Sequence, residues 1–372
     1  MRQFPASPIT ALIDEKPRYN LGESVAPDLT VAELLGSAGL ADLADVKLGY
    51  GTSAGSTELR ALVAARHGIT DSQVLITTGA AAALFLVALL VGDGDGEIVI
   101  GRPCYPPAFD AVQGLGARAV TVASWFEGGY RIDLDAFAAK LSSRTRLVSV
   151  ASPQNPSGVA FRQDEIEWML AAMSRTCPEA LLLIDETYRE ATYGDAVPAA
   201  SFAGMSPRVL TCGSLSKAHG APGLRIGWLT ASDAGLAEEL RLAKFNSSLA
   251  CGTLDELLAV RLLARADQVL AERGAFLAQA REIVERWIKG HAGQLHWLPP
   301  EAGAMCCVQL DPGAFGPQDV DRFHAYLGRE RTLVARGPWF GDTGHVFRLG
   351  LGYEPLDRLE QGLGIISAAL AA

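Results

Sequence analysis

Between Val74 and Leu229 the chain alternates short apolar runs with stretches of helical period, and few folds accommodate that order. The pattern predicts strands at Val74–Thr78, Glu97–Gly101, Arg118–Val122, Arg146–Ala151, Leu181–Asp185, Val209–Cys212 and Arg225–Leu229. Helices are predicted between them at Ala80–Val91, Tyr105–Leu115, Leu134–Leu141 and Gln163–Arg175. Runs such as Leu181-Leu-Leu-Ile184 are apolar on both faces, as in strands covered from both sides. Strand–helix alternation implies an α/β domain with a mostly parallel sheet, and ligands in such sheets bind at the carboxyl ends of the strands. The 372 residues exceed what one simple core organises. A helical stretch from Leu254 to Lys289 leads to a remainder that reads as a smaller α+β domain, with strands at Met305–Leu310, Thr332–Ala335 and Val346–Leu351. The expected division is a loop-like N-terminal segment, 1–47, packed on the C-terminal unit; a large domain, 48–255; and an interdomain helix plus small domain, 256–372.

The net charge of -10 argues against nucleic acid or an anionic membrane as partner. The first twenty residues hold no apolar run of signal-peptide length, and the apolar stretch Ala80 to Gly92 is too short to span a bilayer, so the expected compartment is the cytoplasm. The six cysteines form no CxxC pair and read as buried or partly buried thiols rather than a zinc site or disulfide framework. The Gly92–Gly96 segment, GDGDG, lacks the terminal glutamate of a calcium loop and reads as a turn. No GxxxxGK[ST] phosphate loop is present, which argues against a nucleotide-binding α/β protein.

The densest chemistry lies in Ser214-Leu-Ser216-Lys217-Ala-His219-Gly220-Ala-Pro-Gly223-Leu-Arg225-Ile-Gly227. A lysine that forms an imine must be held in place and able to lose its proton. Small neighbours allow a cofactor close, and Arg225 and Ser214 can donate to a phosphate. Taken alone, SLSK suits a polar surface turn equally well. Upstream, Asp185 ends an apolar strand and Tyr188 follows. A carboxylate there suits a protonated ring nitrogen, although an aspartate at that place also caps helices. Asn155-Pro-Ser-Gly158 is a turn on chemical grounds, and Gly79 before a helix offers backbone N–H groups to an anion. Tyr105, in Arg102-Pro-Cys-Tyr105-Pro, is a flat surface for stacking or for ordinary core packing.

Together, in order and spacing from Gly49 to Gly350, these segments resemble the class I/II pyridoxal-phosphate (PLP) aminotransferases, the aspartate-aminotransferase-like fold type I. The resemblance implies an α/β PLP-dependent transferase that moves an amino group from an L-amino acid to a 2-oxo acid. It implies Lys217 as the Schiff-base lysine and Asp185 as partner of the pyridine nitrogen, with Tyr188 and Asn155 on the ring oxygen and Tyr105 stacked on the ring. It places Ser214, Ser216, Arg225 and the backbone of Gly79, Ala80 and Ala81 at the phosphate. Family members often carry polar residues after that glycine; only alanines stand here. Phe347-Arg348-Leu-Gly350 resembles the arginine motif that binds the substrate α-carboxylate. Tyr50-Gly-Thr-Ser-Ala-Gly55 resembles the segment whose tyrosine reaches a neighbouring subunit's phosphate, which implies a homodimer with shared sites.

The segment Asn20-Leu-Gly22-Glu23-Ser24 departs from the family. Gly22 is expected to line the pocket, and a carboxylate at Glu23 to favour a basic substrate side chain. This keeps open a second chemistry, in which arginine or hydroxyarginine is cyclised, eliminated or oxidised, because fold alone does not select transamination. A PLP-sensing regulator built on this fold would carry a DNA-binding domain ahead of it, for which the sequence offers no room.

Overall fold

The computed structural model describes residues 4–92 and 95–372; the centre of the Gly92–Gly96 turn lies outside the described residues. A seven-stranded sheet forms the larger unit. Its spatial order is Val74–Thr77, Gly227–Ala231, Val209–Ser214, Leu181–Asp185, Thr145–Ala151, Glu97–Arg102 and Arg118–Ala123. Gly227–Ala231 runs antiparallel to both neighbours, and the other ladders are parallel. Helices cover both faces. On one, Gly79–Val91 and Pro106–Leu115 bury Leu84, Val87, Val112 and Leu115 over Ile98, Ile100 and Leu183. On the other, Gln163–Thr176 buries Ile166, Met169 and Met173 over Val99, Val148 and Leu182. Successive residues of these strands therefore both meet apolar neighbours, the physical reason for the unbroken apolar runs.

The smaller unit holds a four-stranded antiparallel sheet, in the order Ala335–Arg336, Val346–Gly350, Met305–Leu310 and Leu295–Leu298. Helices Pro317–Arg329 and Leu356–Leu370 share its core with Phe347, Leu349 and Val308.

Several elements differ from the sequence reading. The strand expected at Arg225 begins at Gly227, because Pro222–Leu224 forms a short turn and Arg225 takes a left-handed backbone (φ 50). The long helix is two helices, Thr253–Leu263 and Ala266–Lys289. The chain turns at Arg265 (ψ 14), whose guanidinium donates to the Leu34 carbonyl at 2.9 Å. Thr332–Ala335 divides into Thr332–Leu333, parallel to Tyr19–Asn20, and Ala335–Arg336, which joins the four-stranded sheet. The N-terminal segment is not loop-like throughout. Val31–Asp42 is helical, opened by a reciprocal Thr30/Glu33 cap. Its Leu34 packs with Leu258 and Leu262, whereas Ile9, Leu12, Tyr19 and Leu21 pack on the unit that holds the four-stranded sheet.

Among the described residues no helix is long and apolar enough to cross a membrane. All six cysteines are free and buried.

Candidate active site

The topology brings the chemistry to one edge of the large sheet. Asp185 ends its strand in register with Ala151 on one side and Cys212 on the other. Ser214 pairs with Gly227, and Gly227 with Thr77. The segments carrying Gly79, Tyr105, Asn155 and Lys217 leave the carboxyl ends of parallel strands, and Arg225 precedes the one antiparallel strand.

Gly79 opens helix Gly79–Val91 with φ 77, and a Cβ there would lie 2.4 Å from an Arg225 guanidinium nitrogen. Only glycine permits that approach. The free N–H groups of the first turn, Arg225 and the two serines thus form one donor set, the chemistry a phosphate needs. Arg225 also donates to Ser216 Oγ at 3.4 Å, and the Ser216 N–H donates to Ser214 Oγ at 3.3 Å. Ser214 is buried.

Asp185 lies inside the site. Burial pushes its carboxyl above the usual range, while the Thr187 N–H at 3.0 Å, the Thr187 hydroxyl and Cys212 act in the opposite sense. A cationic ring nitrogen would supply the missing counter-charge. Tyr188 Oη is 2.8 Å from Ser24 Oγ, and Asn155 Nδ2 donates to it at 3.5 Å. Asn155 Oδ1 accepts from Arg348 at 2.8 Å, and the Gly22 carbonyl accepts from the same guanidinium at 2.5 Å. Arg348 is buried and stands over the Phe340 ring, 4.9 Å from its centroid. A Cβ on Gly350 would lie 1.9 Å from the Glu23 carbonyl, so this glycine lets the N-terminal segment cross the strand that carries Arg348.

Glu23 contacts the lysine directly. Its Oε1 accepts from Lys217 Nζ at 3.0 Å and from the Ser24 N–H at 2.9 Å. Burial raises the Glu23 carboxyl, but Lys217 and Arg348 reverse this and leave it below its ordinary value. Burial opposes charge on Lys217 too; Tyr188 and Glu23 outweigh it, and the ammonium is pushed up to about 12. Tyr105 belongs to the same cluster: burial raises its phenol, and it feels the charges of Lys217, Tyr188, Asp185 and Glu23. Tyr50 is not brought to the site of its own chain; it is 92% exposed. Ser24 escaped the sequence reading, as did the contact of Glu23 with Lys217. Neither carries a local signal.

The aminotransferase class I and II profile matches residues 18–339. The chain belongs to this family. Among its relatives, an arginine–pyruvate transaminase of Pseudomonas aeruginosa is 31% identical over 343 residues, covering 86% of this chain and 83% of the relative. A capreomycidine synthase of Streptomyces vinaceus is 32% identical over 355 residues, covering 95% and 87%. Of solved structures, the PLP-dependent cyclase OrfR superposes with a TM-score of 0.85 at 26% identity, covering 100% of this chain and 99% of that one. The class I/II aminotransferase described here is accordingly a PLP-dependent enzyme of fold type I whose substrates are amino acids and 2-oxo acids.

Beneath the lysine loop of this aminotransferase, burial lowers His219 from 6.5 to about 4, with Glu190 pulling the other way. The unfolded chain therefore binds a proton that the folded chain refuses between those values. Stability contributed by neutral His219 is complete above pH 6.5 and is lost as pH falls towards 4, by roughly 3 kcal/mol. Urea unfolding midpoints should fall across that window in the wild type and fall less in His219→Phe; equal slopes would refute the assignment.

Proposed function

We propose that this enzyme transaminates a basic amino acid of the arginine class, with Lys217 as the catalytic amine. The observation that carries the reading is the buried cluster in which Lys217, Glu23 and Arg348 sit within one another's fields beside Asp185. PLP, when bound, supplies an aldehyde carbon for the amino group and a protonated ring that draws electrons from the substrate. In our reading the phosphate is held by Ser214, Ser216, Arg225 and the N–H groups of Gly79, Ala80 and Ala81. Asp185 stays ionised against the ring nitrogen, Tyr105 covers one ring face, and Tyr188 and Asn155 donate to the ring oxygen. Arg348 takes the substrate α-carboxylate with Asn155 and Gly22 fixing its guanidinium. Lys217 Nζ takes the proton from the substrate's α-carbon and returns it to the carbon on the far side of the substrate nitrogen, as base and then acid.

Glu23, a carboxylate paired with Lys217 and with Asp28 close enough to feel its charge, supports the donor class. The likeness to an arginine–pyruvate transaminase supports it. Tyr50, exposed next to the exposed Leu48, supports a homodimer in which Tyr50 serves the partner's phosphate site. We place the enzyme in the cytoplasm, with residues 48–255 as the cofactor-holding domain, 256–372 as interdomain helices and small domain, and 1–47 bridging the two. A second reading, cyclisation, elimination or oxidation of arginine or a hydroxyarginine, is favoured by the likeness to a synthase and a cyclase.

The test is to present each proteinogenic amino acid to the holoenzyme, follow the cofactor's visible absorbance and identify products by mass. A keto acid with the amine form of the cofactor supports transamination; ammonia, a ring or oxygen uptake supports the second reading. Glu23→Gln should raise KM for arginine by about tenfold to a hundredfold, the weight of one buried charged contact, and leave KM for alanine within a factor of two or so. Parallel losses for both donors would remove Glu23 from specificity.

A further inference from the structure

Beside the Lys217 loop lies a small cavity that the reaction leaves unused. Its lining includes Thr187, Arg189, Trp228, His67 and His219, and it has about 10 Å³ for the centre of a water molecule, roughly one water. Each of these five residues presents at least one buried polar atom without a hydrogen-bond partner: Thr187 Oγ1, Arg189 Nε, Trp228 Nε1, His67 Nε2 and both ring nitrogens of His219, with Glu186 Oε2 at 3.5 Å from Arg189 Nε and Glu190 Oε2 at 3.7 Å from His219 Nε2 as their nearest charges. Such a concentration of unsatisfied groups at one place costs stability unless something joins them.

The surrounding bonds fix what that something is. Ser201 Oγ donates to Glu186 Oε2 at 2.7 Å, so it accepts from His67 Nδ1 at 2.8 Å. The Nδ1 of His67 is thereby occupied, and its Nε2 is left without a hydrogen-bond partner beside the cavity. Trp228 Nε1 and Arg189 Nε can only donate, and neutral His219 offers one donor and one acceptor. Glu186 and Glu190 also line the cavity and disfavour an anion, while the donors Trp228 Nε1 and Arg189 Nε disfavour a cation; a water can accept from those donors and donate to Thr187 Oγ1.

We propose that this cavity holds an ordered water that donates to the Thr187 hydroxyl and turns the hydroxyl proton towards Asp185, making Thr187 a positioning residue for the carboxylate that faces the cofactor ring. The Thr187 hydroxyl lacks full hydrogen-bonding geometry to any protein atom, yet it lies close enough to Asp185 to help hold that carboxyl down. Donation from Trp228 and Arg189 into the water strengthens the chain, because each bond polarises the next. No cation is among the groups that act most strongly on Asp185, so this chain of donors favours its charged form until the ring nitrogen supplies a counter-charge.

The proposal rests on Asp185 as partner of the ring nitrogen, and the experiment separates the two. Holoenzymes of wild type, Thr187→Val, Thr187→Ser and Asp185→Asn are compared for the rate of cofactor loss on dilution and for the pH midpoint of the bound cofactor's visible absorbance. Thr187→Val is isosteric and removes only the hydroxyl. It should lose cofactor about tenfold faster, the weight of one hydrogen bond to a charge, and its midpoint should rise, because a less positive ring withdraws fewer electrons. Thr187→Ser should stay within about twofold of wild type. A crystal structure of the holoenzyme should show a water within hydrogen-bonding reach of Thr187 Oγ1. A silent Thr187→Val, a Thr187→Ser as impaired as the valine variant, or a dry cavity overturns the proposal while leaving Asp185 in place. If Asp185→Asn keeps its cofactor as tightly as wild type, the reading of Asp185 falls and the proposal falls with it.

Discussion

Replacing Lys217 by alanine is expected to lower kcat by about 10⁴-fold or more, the upper range for a positioned acid–base group, and to abolish covalent retention of the cofactor. The side chain is enclosed by Tyr105, Tyr188, Glu23 and Arg348, and 24% of it remains exposed. Among the described residues, no other lysine is among the groups that act most strongly on Asp185, Tyr105 or Glu23. The measurement is borohydride reduction of the holoenzyme, digestion and mass analysis, alongside turnover of the variant. Cofactor mass on the peptide containing Lys217 in the wild type, and on no peptide in the variant, is the expected pair of results. Full turnover by Lys217→Ala, or cofactor attached at another lysine, would end the assignment. A companion effect has a definite sign. Glu23 helps raise the Lys217 ammonium to about 12, so Glu23→Gln should lower that value and speed cofactor capture by the cofactor-free protein at neutral pH.

The cofactor side of the site is legible in the sequence because each part is a short continuous segment leaving a strand end. An apolar run that stops at Asp185, a glycine before the helix at Gly79, and serine, lysine and arginine around one tight loop are local patterns, and the parallel topology then brings them to one edge. The same logic explains the losses. Ser24 reaches Tyr188 across 164 residues, and Glu23 reaches Lys217 across 194; neither end carries a mark of the other. The contact of Glu23 with the lysine depends on Gly350 letting the N-terminal segment cross close by. The helix Val31–Asp42 did carry a signal, since Thr30 and Glu33 have the spacing of a reciprocal cap. The break at Arg265 did not, and the side chain there donates to a carbonyl of that distant helix. The cavity behind Thr187 draws His67, Thr187, His219 and Trp228 from four separate segments.

Arg348→Ala is expected to reduce kcat/KM for the preferred amino acid by about 10²- to 10³-fold, which corresponds to losing a buried, hydrogen-bonded charge pair of about 3–4 kcal/mol. The guanidinium is held from three sides, by Asn155, by the Gly22 carbonyl and by the Phe340 ring, while its Nε has no protein partner. A planar fork fixed in this way suits a carboxylate, and lysine cannot reproduce it; Arg348→Lys should therefore recover little. Part of any loss is structural, because removing a buried cation strips Glu23 of one of the two charges that keep it ionised. The decarboxylated amine analogue of the donor separates the contributions, since it never engages the carboxylate site. If Arg348 binds the α-carboxylate, the variant loses two to three orders of magnitude with the amino acid and little with the amine. Equal losses with both would assign Arg348 to the architecture of the site and move the carboxylate elsewhere.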